Sequence, residues 1–306
     1  MIKKECFTAE WIEQVSSELH YNDKNLIEKV IRALSLLEML VKAGCPLVFK
    51  GGTALMLILG KSAHRLSIDI DLICPPGTNI EDYLKSFADF GFINLELVER
   101  KQRDDADIPK SHSKFFYQIA YRNDTDAQSY ILLDVLYEDI HYFRTQQIAI
   151  NCPFIRLEGK PLMVTVPSAE DILGDKLTAF APNTTGIPYY KNGRSCSMEI
   201  AKQLYDVGRL FENVSDLQIT KEAFRKIAVV ELSYRSFGTD IGQVFNDIRQ
   251  TALCISTRGK AGEGDFDLIQ DGIIRVKSFM YKQRYLIDHA IIDAARAAYL
   301  ATLIET

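Results

Sequence analysis

The sequence predicts an α/β fold of the α+β kind: a mixed sheet with flanking helices, followed by an all-helical C-terminal domain. Three observations predict it. Short apolar and β-branched runs recur between Leu47 and Pro167. From Ser197 onward the apolar spacing turns to threes and fours in five successive segments. The chain has 306 residues, enough for two domains. The change of pattern puts the boundary near Pro167, giving domains 1–166 and 167–306.

The elements follow in order. Asn25 to Gly44 has Leu26, Val30, Leu34, Leu37 and Val41 on one helical face, and Gly44 and Pro46 stop it. "PLVFK" reads as a buried strand ending at Gly51 and Gly52, and "TALMLILG" as a short helix from Thr53 to Gly60. "LSIDIDLI" alternates as a strand. "TNIEDYLKSFADFG" reads as an amphipathic helix capped by Thr78 or Asn79 and stopped by Gly91. "FINLELVER", "KFFYQIAYR" and "SYILLDVLYED" are three strands, the last two joined by a turn in "NDTDAQ". "PLMVTVPS" is a further strand, and the helix after it opens on a capping box of Ser168 with Asp171. The loop from Ala181 to Ser197 is long for its position and carries Tyr189, Tyr190, Lys191 and Arg194, suited to stacking and phosphate contact or to an ordinary surface loop. Five helices complete the chain.

Composition narrows the class. Hydrophobic residues make up 47% and charged residues 25%, as in soluble globular proteins. The formal net charge of -5 excludes a generally cationic nucleic-acid binder, so RNA contact would need a local basic groove. The N-terminus has no apolar signal region, and no apolar run reaches 18 residues, so neither secretion nor a membrane partner is expected. Six scattered cysteines without C-x-x-C read as reduced thiols of a cytoplasmic protein, and five histidines without metal-ligand spacing predict no His-ligated metal.

The chemistry concentrates in "KGGTALMLILGKSAHRLSIDIDLI". Asp69 and Asp71 lie two apart on a strand, so they share one face while Ile68, Ile70 and Leu72 point into a core. Two close carboxylates repel, and burial adds to the cost. A divalent cation relieves both, and Mg²⁺ suits carboxylate oxygens and substrate phosphates. Asp134, in the apolar run "ILLDVLYE", is the candidate third carboxylate of a two-metal site. Glu138 and Asp139 read as solvated strand-end charges. Gly51, Gly52 and Thr53 form a strand-to-helix turn whose free N–H groups can take a phosphate. Arg65 and Ser67 are further phosphate-contact candidates. Each element also has an ordinary reading, as a plain turn, an exposed strand or a surface charge.

In this order the motifs resemble the DNA polymerase beta-like nucleotidyltransferase superfamily, and "KGGTALML…RLSIDIDL" resembles its AbiEii/AbiGii toxin family of type IV toxin–antitoxin systems. "DKLTAF" is similar to the family's lysine motif, with Lys176 in the lysine position. "KQLYDV" is similar to its last motif, with Lys202 and Asp206, although Ile200 and Gln203 stand where Arg and Asp are common. The resemblance runs from about Leu47 to Leu210.

It implies a nucleotidyltransferase-type sheet and transfer of a nucleotidyl group from an NTP, dependent on two Mg²⁺ ions or on Mn²⁺ in their place. Asp69, Asp71 and Asp134 would be metal ligands, with Lys176 and Asp206 beside them in catalysis. Gly51, Gly52, Thr53, Arg65, Ser67, Lys176 and Lys202 would bind the nucleotide, and Asp206 would orient Lys202 or contact the nucleotide. Implied partners are an RNA acceptor, the tRNA 3′ end, and an antitoxin encoded by an adjacent gene. The implied role is abortive infection of phage. A protein-modifying nucleotidyltransferase, a kinase, a nucleotide-sugar transferase using Asp-x-Asp and a non-catalytic binding module are the alternatives.

Overall fold

A computed structural model describes residues 1–98, 110–122, 127–235 and 240–306. The chain opens on α1 (Ala9–Glu18) and α2 (Lys24–Lys42), capped by Thr8 and Asp23, whose side chains accept from the Trp11 and Leu26 N–H groups. The sequence pattern missed α1, which has only Trp11, Ile12 and Val15 as buried apolar anchors. α2 is as expected, and Gly44, at φ +75, supplies its left-handed stop.

The main sheet comprises β1 (Val48–Lys50), β2 (Ile70–Cys74), β3 (Asn94–Val98), β4 (Lys110–Gln118) and β5 (Gln128–Tyr137), in spatial order β1-β2-β5-β4-β3. β2 and β5 run parallel and the other neighbours antiparallel. α3 (Gly51–Leu59) links β1 to β2 and starts at Gly51, two residues before the expected Thr53. β6 (Thr145–Ala149) pairs with β7 (Met163–Pro167) beside β1. The sequence reading missed β6, whose "TQQIA" shows no clear alternation. Residues 123–126 of the expected "NDTDAQ" turn, with Glu99, Arg100 and residues 236–239 at expected element ends, lie outside the described residues.

The expected helix over Thr78 to Gly91 is two 3-10 turns instead, Ile80–Tyr83 and Phe87–Phe90. Neither cap candidate makes a side-chain cap there. Carbonyls at its end are claimed from α2: Ser35 Oγ donates to Phe90 O at 3.2 Å and Arg32 Nη1 to Gly91 O at 3.0 Å. Tertiary bonds thus replace an α-helical ladder.

The helical half contains α4 (Ala169–Ala179), α5 (Ser197–Phe211), α6 (Leu217–Arg235), α7 (Ile241–Ser256), α8 (Phe266–Val276) and α9 (Ile287–Glu305), the last five matching the expected helices. Ser168 caps α4 as expected, accepting from Asp171 N–H. The capping box does not close, because the Asp171 carboxylate accepts from Phe143 and Arg144 N–H instead, at 2.5 and 2.9 Å. The long loop folds into a small hairpin, β8 (Tyr190–Lys191) with β9 (Arg194–Ser195), around Asn192 and Gly193 at φ 51 and 74.

The apolar interior has two main bodies. One packs α1, α2 and α3 against a sheet face built from Ile70, Leu72, Phe115, Tyr117, Ile131, Leu133 and Val135. The other joins α4 to α9 and takes in Leu55 of α3. Residues 279–281, between α8 and α9, return to the first body: Phe279 O accepts from Leu66 N at 2.8 Å, and Tyr281 N donates to His64 O at 3.0 Å. Among the described residues no helix is long and apolar enough to cross a membrane.

Candidate active site

The strand registers build the site. Lys50 pairs with Asp71 across β1–β2, Asp71 with Asp134 across β2–β5, and Asp134 with His112 across β5–β4. Residues opposite one another in a sheet share a face. Lys50, Asp71, Asp134 and His112 therefore form one row across four strands, on the face not packed by the main core. Burial alternates accordingly: Leu133 and Val135 are buried, Asp134 half-exposed between them. Asp69 precedes β2 by one residue, with Ile70 and Leu72 buried on the opposite side.

The glycine turn fits tightly against this row. A Cβ on Gly51 would lie 2.1 Å from Asp71 Oδ2, and its φ of +79 disfavours a side chain in any case. A Cβ on Gly52 would meet Ser67 Oγ at 2.6 Å and Arg65 Nη2 at 3.0 Å. Thr53 departs from its expected role. Its fully buried hydroxyl donates to the Asp69 carbonyl at 2.7 Å, so it fixes the Asp69 backbone and leaves only its N–H for a phosphate.

Cations from both halves of the chain face the carboxylates. Lys176 and Lys50 favour the charged form of Asp71; Lys202, Lys29 and Arg65 favour that of Asp69. Burial nevertheless pushes the Asp71 carboxyl up to about 7, with Asp69 and Asp134 adding to the rise. Asp69 reaches solvent at the rim, yet the protein on its other sides raises its pKa too, as does Asp134. Burial lowers Lys202 to about 8, and Arg65 acts in the same direction.

Asp206, which the resemblance has orienting Lys202 or contacting the nucleotide, makes no direct bond to Lys202 among the described residues. Asp206, 2% exposed, is held by Arg65 through Nε at 3.0 Å and Nη2 at 2.8 Å to both oxygens, and by Lys176 Nζ at 3.0 Å. These two cations outweigh desolvation and keep its carboxyl below the usual range. Lys202 instead lies 3.9 Å from the centre of the Phe279 ring. Arg65, a phosphate candidate from the sequence, is committed to Asp206 and to the Leu66 carbonyl. Lys176, in the family's lysine position, is 7% exposed and also donates to Gln203 Oε1 at 2.9 Å. Gln203, at a motif position where an acid is common, thus serves as a neutral acceptor, and Ile200 is core.

The sequence reading also missed two members of the row, Lys50 and His112, and the Phe279 ring beside Lys202. Lys50 lies 3.5 Å from Asp175 of α4, which accepts from the Tyr142 hydroxyl at 3.0 Å. His112 Nδ1 is hydrogen-bonded to Asp134 Oδ1, and its Nε2 is buried without a partner among the described residues. Phe279 approaches from the loop before α9. Only Lys50, abutting the glycine pair, carried a local signal. Glu138, expected to be solvated, has a side chain 12% exposed and accepts from the Tyr234 hydroxyl at 3.1 Å.

Would this donor set fit Mg²⁺? Among the described residues no three side chains already form a closed ligand cage. Asp69, Asp71 and Asp134 nonetheless share a face, and no described cation bonds directly to Asp69 or Asp71, whereas Asp206 is saturated. Mg²⁺ commonly takes one or two carboxylates and completes its shell with water and phosphate oxygens. The open, mutually repelling set fits that mode.

No curated protein matches the sequence. Among solved structures, MenT4, a nucleotidyltransferase toxin from Mycobacterium tuberculosis H37Rv, superposes with a TM-score of 0.48 at 16% identity, covering 96% of this chain and 89% of that one. JHP933 from Helicobacter pylori gives 0.44 at 15% identity, covering 99% and 93%. These likenesses are too distant to inform on chemistry. The sequence profile of the nucleotidyl transferase AbiEii toxins of type IV toxin–antitoxin systems matches residues 33–283, beyond the stretch in which the motifs lie. The match covers most of the chain, and the chain belongs to the AbiEii family of nucleotidyltransferase toxins, with a nucleotide as substrate and an antitoxin as partner.

Proposed function

We propose that this toxin transfers a nucleotidyl group from an NTP to the 3′ end of an RNA, tRNA first, in a Mg²⁺-dependent reaction. The observation that carries the reading is the register of Asp71 beside Asp134, with Asp69 at the rim and the Gly51–Gly52 turn against Asp71. The acceptor hydroxyl attacks the α-phosphorus. A new P–O bond forms, the bond to the β-phosphate oxygen breaks, pyrophosphate leaves and the hydroxyl proton passes to water.

Asp69, Asp71 and Asp134 would hold the metal, with Mn²⁺ as a substitute. Bound there, it supplies charge neutralisation on the triphosphate and a lower pKa for the acceptor hydroxyl. The free N–H groups at the start of α3 take phosphate oxygens. Lys176 and Lys202 neutralise triphosphate charge from the helical side. Asp206 touches no substrate; it holds Lys176 and Arg65 in place. The tRNA acceptor, the antitoxin gene next door and the role in abortive infection rest on family membership.

The test incubates the purified protein with Mg²⁺, total tRNA and each α-labelled NTP in turn. Label in RNA that disappears with Asp69→Ala and with Asp71→Ala is the expected result. Labelling that persists in both variants overturns the metal assignment. Label in protein alone, or transfer only from a γ-labelled NTP, would point to a protein-modifying enzyme or a kinase.

A further inference from the structure

The face that carries the carboxylate row continues along β4 and β5. Tyr130 lies four residues before Asp134 on β5, and Phe116 is its direct partner on β4. With a period of two, Tyr130 and Asp134 share a face, about 13 Å apart by strand rise. The two rings contact each other, with centroids 5.7 Å apart at 55°. Tyr130 is 40% exposed. Two lysines flank its ring, Lys114 of β4 at 5.6 Å and Lys29 of α2 at 5.7 Å. Among the described residues the ion-pair partner of Lys114 is Glu96 at 3.4 Å, a surface pair of small net worth.

A cross-strand aromatic pair by itself only stabilises a sheet. Here the pair is open to solvent, ringed by cations and continuous with the catalytic face, on a chain of net charge -5. Exposed aromatic rings with flanking cations are what unpaired bases and their phosphates bind.

We infer that Tyr130 and Phe116, with Lys114 and Lys29, form the acceptor subsite, a platform for the unpaired 3′ end of an RNA strand. One of the last bases stacks on Tyr130 against Phe116, the lysines take adjoining phosphates, and the terminal hydroxyl extends along β5 toward Asp134. The inference rests on the proposed RNA-directed transfer and names where that acceptor lies. A stacking platform reads no base edge, so the subsite selects a single-stranded end and tolerates sequence.

The test separates binding from transfer. Binding of a labelled, unstructured oligoribonucleotide with a 3′-deoxy end, which cannot react, is followed by fluorescence anisotropy across a salt series. Tyr130→Leu is expected to weaken binding about tenfold, and Tyr130→Trp to retain it. Lys114→Ala is expected to reduce the slope of log K against log salt by about 0.7, a change Tyr130→Leu should not cause. In the transfer assay, Tyr130→Leu should raise the KM for RNA and leave the KM for NTP unchanged. RNA labelling with wild-type RNA affinity in both Tyr130→Leu and Phe116→Leu overturns the platform while the proposed activity stands. Oligonucleotide binding that needs Tyr130, in a protein that labels no RNA, overturns the activity and leaves the platform. Equal affinity for a fully paired blunt duplex also overturns the platform.

Discussion

Asp71 and Asp134 stand side by side in the parallel pair β2–β5, two carboxylates on adjacent strands of one open sheet face. Such a pair repels unless a cation lies against it. In metal-free buffer at pH 7, Asp71→Asn is therefore expected to unfold at a higher temperature than wild type, and added Mg²⁺ to narrow the gap. Transfer activity should fall by about 10²–10³. Thermal scans with and without Mg²⁺, beside the labelling assay, check both. An Asp71→Asn variant less stable without metal would contradict the repulsion.

Asp206 is the counter-charge for two buried cations. Asp206→Asn strands Arg65 and Lys176, and a loss of about 3–5 kcal/mol is expected from chemical denaturation. The pH dependence has a definite sign. The folded pKa of Asp206 lies below the ordinary carboxylate value of about 3.9, so its contribution is present above that pH and is lost as pH falls toward the folded value. Melting temperatures measured from pH 6 downward should show a gap between wild type and Asp206→Asn that shrinks below about pH 4. A constant gap would rule out this linkage.

Gly51 and Gly44 make a matched comparison, at φ +79 and +75. A Cβ on Gly44 meets nothing within 4 Å, whereas one on Gly51 collides with Asp71. Gly44→Ala should cost about 1–2 kcal/mol of stability and leave activity intact. Gly51→Ala should show a similar backbone cost and also abolish transfer by displacing the Asp71 carboxylate. Equal residual activity in the two variants would show that the Gly51 contact is unimportant.

Lys176 and Lys202 differ in setting, and their substitution should separate them. Lys176 is tied to Asp206 and Gln203, so Lys176→Met should lower both stability and activity. Lys202 lies over Phe279 with no carboxylate bonded to it among the described residues, so Lys202→Met should raise the KM for NTP with little change in melting temperature. Kinetics over an NTP series, run beside a denaturation curve, check the split. A large stability loss in Lys202→Met would make it a structural residue instead.

Read alone, the sequence places the elements with strong periodicity, α2 and α5 to α9, and the strands around Asp69, Asp71 and Asp134. It also places the glycine turn, because a Gly pair between a strand and an apolar run punctuates the chain there. Local pattern misread the segment Thr78 to Gly91, where apolar spacing suits a helix but α2 side chains claim its terminal carbonyls. The resemblance likewise has Asp206 orient Lys202, and the motif along one helix is blind to a buried Arg65 from 141 residues away. The folded chain alone shows that Lys50 and His112 complete the row, that Phe279 meets Lys202, and that Tyr130 and Phe116 extend the face. Each of those depends on strand register or on a loop returning across the fold, and neither leaves a mark in the spacing of neighbouring residues.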